Sequence, residues 1–234
     1  MSDSHSVPVA DGECVAAEHH PADGDRWLVF CHGFLSDKSG SYEARCERAV
    51  AEGYDAVRFD FRGSGDSDRP FVESTLSTRL ADLRAVVDYF DPSSYALFGS
   101  SFGGKVALHA ASDERLEAVV TRAPVTYNRA FDDYRAAVTD AGELRIDDDH
   151  AIDERFFEDF EQYPFADAAD AIDVPLAMFH GAADTSVPIA DTFEAAATLD
   201  TDVMVSKFAG EGHRFSAAAE RRLQEQSFAW LSDR

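Results

Sequence analysis

The sequence predicts an α/β protein with one mostly parallel, doubly wound sheet, and three observations carry that expectation. Short apolar runs recur at 27–31, 56–61, 95–99, 116–121, 176–180 and 203–208, each of a length suited to a buried strand. Stretches with helical spacing fall between them, at 42–52, 76–90, 102–112, 190–197 and 217–231. Alternation of this kind winds a parallel sheet that offers its ligand site at the strand C-terminal ends. The chain has 234 residues, 45% of them hydrophobic, enough for one large core, so residues 1–234 are expected to form one domain.

Taken in order, residues 7–18 carry a weak signal for one or two antiparallel edge strands. The run at 27–31 empties into Cys31-His32-Gly33-Phe34, and the run at 56–61 into Arg62-Gly63-Ser64-Gly65-Asp66-Ser67. The latter opens like a dinucleotide fingerprint, but Asp68 occupies the third glycine position and Arg69-Pro70 stands where a helix should begin, so it is read as a turn. The run at 95–99 leads into Gly99-Ser100-Ser101-Phe102-Gly103 and then directly into a helix. After the run at 116–121 the rhythm breaks, because 124–173 separates two strands by about fifty residues, too long for an ordinary connection. A small helical cap over the site is expected there. Its Phe131, Tyr134, Phe156, Phe157, Phe160, Tyr163 and Phe165 are suited either to lining an acyl or aromatic-ring pocket or to packing the cap onto the body. Phe156 and Phe160 share a helix face at i, i+4 spacing, so at least one face is committed to burial.

A G-x-S-x-G segment between a buried strand and a helix is the context of a nucleophile elbow, which points to Ser101. A serine hydroxyl is a poor nucleophile at neutral pH, so it needs an imidazole to take its proton and a carboxylate to fix that imidazole. That elbow resembles the one in the α/β-hydrolases, and the resemblance implies that acid and then base follow the serine along the chain. Asp184 lies on the loop after the run at 176–180, and His213 on the Gly-rich loop after the run at 203–208. Asp191 and Asp202 are the alternative acids, whereas Asp60 precedes the serine and is read as a loop-fixing residue. His32 and His180, each before a glycine at a strand end, are read as turn-bonding residues. His109 is expected to be packed, and His5, His19, His20 and His150 to be solvated.

These segments together resemble the α/β-hydrolases, and within them the small esterases that open with His-Gly-Phe after the first central strand; the likeness covers nearly the whole chain. It implies an α/β-hydrolase fold with Ser101 as nucleophile, Asp184 as acid, His213 as base, and the backbone N–H groups of Phe34 and Phe102 as oxyanion donors. One departure is Ser100, where relatives often carry histidine. The expected activity is cleavage of a small carboxylic ester through an acyl-enzyme, with Phe156, Phe157 and Phe160 contributing to substrate binding. Amide or thioester cleavage by the same three residues is the alternative, and a catalytically silent binding protein of this fold is the other class.

Composition bounds the partners. The chain carries 45 acidic against 21 basic residues, a formal net charge of −24, and Lys38, Lys105 and Lys207 are its lysines. The acids are spread along the whole chain, as on the surface of a protein from a salt-accumulating cell, where molar salt shortens the Debye length to about 3 Å. Such a surface disfavours nucleic acid and anionic membranes, and the expected partner is a small-molecule ester; the sequence sets no oligomeric state. Met1–His5 has neither a basic patch nor an apolar leader region, and no run approaches the ~20 apolar residues of a membrane helix, so a cytoplasmic location is expected. Cys14, Cys31 and Cys46 lack C-x-x-C spacing, and neither a metal nor a cofactor is expected.

Overall fold

A computed structural model describes residues 2–234. The chain opens with a hairpin, β1 (Asp3–Pro8) and β2 (Cys14–His20), followed by β3 (Arg26–Cys31), α1 (Ser41–Ala51), β4 (Tyr54–Phe59), α2 (Leu76–Phe90), β5 (Tyr95–Ser100), α3 (Phe102–His109) and β6 (Leu116–Arg122). There it leaves the sheet for a 3₁₀ turn (Asn128–Phe131), α4 (Asp132–Ala141), a ribbon of β7 (Glu143–Arg145) and β8 (Ala151–Asp153), α5 (Glu154–Phe160) and α6 (Phe165–Ala171). It returns through β9 (Leu176–Gly181), α7 (Ile189–Thr198), β10 (Val203–Phe208) and α8 (Ala217–Leu231). Among the described residues the large sheet has eight strands in the order β1-β2-β4-β3-β5-β6-β9-β10. The six inner and far strands, from β4 to β10, pair in parallel, and the hairpin joins β4 antiparallel through β2.

Both faces of this sheet are covered, which is why its strands read as continuous apolar runs. Alternate residues serve opposite layers. Leu28, Phe30, Phe98, Val120 and Phe179 pack with Cys46, Leu223 and Phe228 of α1 and α8, while Val29, Leu97, Val119 and Met178 face the layer that holds α2, α3 and the excursion. Thr75 starts α2 with a capping box through Thr78, and Ser216 starts α8 by accepting from the Ala219 N–H at 3.3 Å.

The hairpin is longer than the sequence suggests because β1 buries little: only Val7 among its residues is fully inside, so no alternation announces it. Its consequence is that His19 and His20 are not solvated. His19 stacks on Trp27 with centroids 5.1 Å apart and bonds Asp55 at 2.6 Å. Burial lowers the pKa of His20, whose Nε2 accepts from Arg58 at 3.1 Å.

Between β6 and β9, α5 packs on α2 and α6 packs on α3 and α7. This segment is not purely helical, since it also carries the β7–β8 ribbon, whose three-residue strands are too short to leave a pattern in sequence. No helix among the described residues is long and apolar enough to cross a membrane.

Candidate active site

Backbone crowding builds the elbow. A Cβ on Gly103 would overlap the carbonyl oxygens of Cys31 and His32, and one on Gly99 would overlap Gly103, so β5, α3 and the end of β3 approach closer than any side chain permits. Ser101 links β5 to α3 with φ +53° and ψ −117°, a strained conformation for a residue with a side chain. It is held there on both sides: its N–H donates to the Arg122 carbonyl at 2.9 Å, and its carbonyl accepts from Gly104 at 2.9 Å and Val125 at 3.0 Å.

The side chains named from sequence meet at this point. His213 Nε2 is 2.9 Å from Ser101 Oγ, and His213 Nδ1 is 2.8 Å from Asp184 Oδ2. The loops carrying Asp184 and His213 are laced together, with Ala182 N–H donating to the Phe208 carbonyl at 2.9 Å and Ala183 N–H to that of Glu211 at 2.8 Å. Asp184 Oδ1 accepts from the N–H groups of Ser186 (2.8 Å) and Val187 (3.0 Å). Burial of Asp184 works against its charge, but hydrogen bonds from His180, His213 and the Val187 N–H outweigh it and hold the carboxyl well below the usual range. The acid is therefore an anion whose free lone pairs are committed to orienting its neighbours.

His180 is the residue whose part the sequence reading missed. It is fully buried and its Nε2 faces only acceptors, Asp184 Oδ2 at 3.2 Å and the Val187 carbonyl at 3.0 Å. That nitrogen must carry a proton, while Nδ1 is hydrogen-bonded to the Thr192 hydroxyl at 2.7 Å. A His-Gly pair at a strand end gave no signal that the ring would reach the carboxylate four residues on.

The loop after β3 lies directly against the serine, since a Cβ on Gly33 would stand 3.5 Å from Ser101 Cβ. His32, read as a turn-bonding residue, donates from Nδ1 to the Gly33 carbonyl at 2.8 Å and accepts the Phe61 N–H on Nε2 at 3.0 Å. Burial, helped by nearby Arg79, pushes its pKa down to about 3, so the ring is neutral. The N–H groups of Phe34 and Phe102 have no hydrogen-bond partner among the described residues. Asp60 fixes the adjacent loop by accepting from Lys38 N (2.6 Å), Lys38 Nζ (2.7 Å) and Asp66 N (2.8 Å).

Other candidates lie apart. Asp191 is engaged by Arg129 at 2.7 Å, and the Asp202 side chain is 84% exposed beside Arg234. Ser100 is buried 3.5 Å from Arg45 Nη1, and Glu220 beneath it binds both Arg45 (2.8 Å) and Arg122 (2.6 Å). Phe156, Phe157 and Phe160 are all buried. Phe156 meets Phe34 (5.4 Å) and Phe102 (5.9 Å), and Phe160 stacks on Phe102 (5.7 Å), whereas Phe157 packs on Phe156 (5.1 Å) and under the Arg135 guanidinium. Two of the three thus adjoin the rings of the residues that carry the free N–H groups. Among the described residues no cluster of three His, Cys, Asp or Glu side chains could hold a metal.

Comparison with known proteins agrees with this architecture. Over 107 residues the chain is 36% identical to the quorum-quenching protein AidA of Acinetobacter baumannii, a match spanning 42% of this chain and 35% of that protein. Over 212 residues, 84% of this chain and 69% of the relative, it is 26% identical to the human mitochondrial palmitoyl-protein thioesterase ABHD10. In structure it is similar to mouse alpha/beta hydrolase domain-containing protein 10, with a TM-score of 0.87 at 22% identity and 99% of each chain covered. It is also similar to Est1E of Butyrivibrio proteoclasticus, solved with ferulic acid, with a TM-score of 0.85 at 19% identity covering 97% of this chain and 99% of that one. Residues 26–151 match the profile of the alpha/beta hydrolase fold, and the chain belongs to that family.

Proposed function

We propose that the protein is a serine hydrolase that cleaves a small carboxylic ester through an acyl-enzyme. The observation that carries this reading is the unbroken hydrogen-bond chain from Ser101 Oγ through His213 to Asp184, at 2.9 and 2.8 Å. In it His213 Nε2 takes the hydroxyl proton as Ser101 attacks the acyl carbon, and the buried Asp184 stabilises the imidazolium that results. The oxyanion of the tetrahedral intermediate accepts from the N–H groups of Phe34 and Phe102, each donor contributing about 3 kcal/mol in well-studied enzymes. His213 then returns the proton to the leaving alkoxide, and water repeats the sequence to release the acid.

A thioester reading is favoured by the likeness to a relative named as a palmitoyl-protein thioesterase. The same groups serve it, because nucleophile, base and oxyanion donors act on the acyl carbon whichever atom leaves. A panel of p-nitrophenyl esters of graded chain length, run beside acyl-CoA thioesters in high salt, separates the two. The ester reading expects the larger kcat/KM on short acyl esters; a uniformly larger value on thioesters moves the assignment to them. In the same panel Phe156→Ala and Phe160→Ala should shift the preferred chain length upward, since each opens space beside Phe102. Equal losses on acetyl and longer esters would restrict these rings to packing.

A further inference from the structure

Arg79, near the start of α2, is completely buried, and among the described residues no carboxylate stands within ion-pair distance of it. Asp82, the acid one turn along, is taken by Arg62 through its Nε at 2.6 Å and its N–H at 2.8 Å. Four aromatic rings enclose the guanidinium instead: its carbon lies 5.1 Å from the centre of Phe102, 5.2 Å from Phe61, 5.7 Å from Phe71 and 5.8 Å from Phe34. Its Nε donates to Ser74 Oγ at 3.2 Å and its Nη2 to the Phe34 carbonyl at 3.4 Å, while Nη1 has no partner. Burial pushes its pKa down to about 10, with Asp82 opposing, so it is a cation at neutral pH.

An uncompensated buried charge is costly, and a methionine of similar length would fill the space without that cost. Its location gives it a use. Two of the four rings around it belong to Phe34 and Phe102, whose N–H groups are unpartnered among the described residues. In the trans peptide joining Gly33 to Phe34, the carbonyl and the N–H point in opposite directions. His32 holds that carbonyl at 2.8 Å, and Arg79 holds the next one, that of Phe34, so the Phe34 N–H is fixed from both sides.

We propose that Arg79 is a positioning residue of the oxyanion hole, orienting the Phe34 N–H through the Phe34 carbonyl and setting a positive charge behind the two donors. This rests on the reading of Ser101 as nucleophile. Because negative charge develops on the acyl oxygen only as the tetrahedral intermediate forms, the contribution appears in kcat and leaves substrate binding nearly unchanged.

The test compares wild type, Arg79→Met, Arg79→Lys and Ser74→Ala on p-nitrophenyl acetate, with phenylboronic acid as a mimic of the anionic tetrahedral adduct on the serine. Arg79→Met should lower kcat by about 30-fold with KM within about 3-fold, and weaken phenylboronic acid by a similar factor. Arg79→Lys, which keeps the charge, should recover part of both losses. Ser74→Ala, which frees Nε, should show the same pattern at about 3-fold, and with Arg79→Lys it decides the matter if Arg79→Met gives no cooperative melt. A kcat unchanged in the variants that fold, a loss without weaker phenylboronic acid binding, or a lysine variant no better than methionine overturns the proposal. A wild type that neither hydrolyses esters nor reacts with a fluorophosphonate fails earlier and removes the serine-hydrolase reading, and this inference with it.

Discussion

His180 donates through Nε2 to Asp184 Oδ2 at 3.2 Å, the same oxygen that receives His213 Nδ1. The acid therefore serves two imidazoles, and the second one, wholly buried, limits how the carboxylate turns. His180→Phe keeps much of the volume and removes the donor. It should lower kcat for p-nitrophenyl acetate by about 10-fold, well short of the roughly 10³-fold loss expected for His213→Ala, with no shift in the linear range of the assay. Steady-state kinetics decide this: wild-type turnover in the phenylalanine variant would reduce His180 to a packing role.

A buried cation also shapes the pH dependence of stability. Lys105 Nζ, on α3, donates to Asn128 Oδ1 at 2.8 Å and to the Tyr163 carbonyl at 2.9 Å, and sits 4.8 Å from the centre of the Phe160 ring, so it ties the helix behind the serine to the excursion over the sheet. Burial pushes its pKa down to about 7, against about 10.4 in an unfolded chain. Below the folded value the lysine is protonated in both states, and the full penalty of burying its charge is present. Between the two values the unfolded chain holds a proton that the folded one has shed, so stability rises with pH across that window. Thermal melts of wild type and Lys105→Met from pH 6 to pH 10 should show a wild-type melting temperature that climbs relative to the variant's above about pH 7. Parallel curves would mean that the lysine keeps its proton in the folded protein.

What the sequence makes legible here divides along physical lines. The inner strands are readable because burial on both faces writes unbroken apolar runs, and the elbow because Gly99 and Gly103 are required by backbone contact. That Asp184 and His213 meet Ser101 is anticipated by the α/β-hydrolase resemblance, which says on which strand-end loops to look. Of the β1–β2 hairpin only 7–18 leaves a weak signal, and its full extent is not readable, since an edge strand with one buried residue has no period to read. Neither His180 nor Arg79 can be assigned from local pattern, because each acts through a partner that its own motif does not name, Asp184 around the turn of one loop and Phe34 from 45 residues away.

The acidic balance predicts a response to salt. With a formal net charge of −24, mutual repulsion weakens the compact state in dilute buffer, while molar salt screens it and strengthens apolar burial. Melting temperature and ester turnover should rise together between about 0.1 M and about 3 M KCl, over which the Debye length falls from about 10 Å to under 3 Å. A melting temperature that stays flat or drops would make the acidic surface incidental to habitat.

Covalent capture tests the proposed nucleophile, Ser101, most directly. After reaction with diisopropyl fluorophosphate, peptide mass mapping should find one phosphoryl adduct, on Ser101, absent from Ser101→Ala, and that variant should lose ester hydrolysis by roughly 10³-fold or more while melting as wild type does. An adduct on another residue, or near wild-type hydrolysis by Ser101→Ala, would contradict the mechanism.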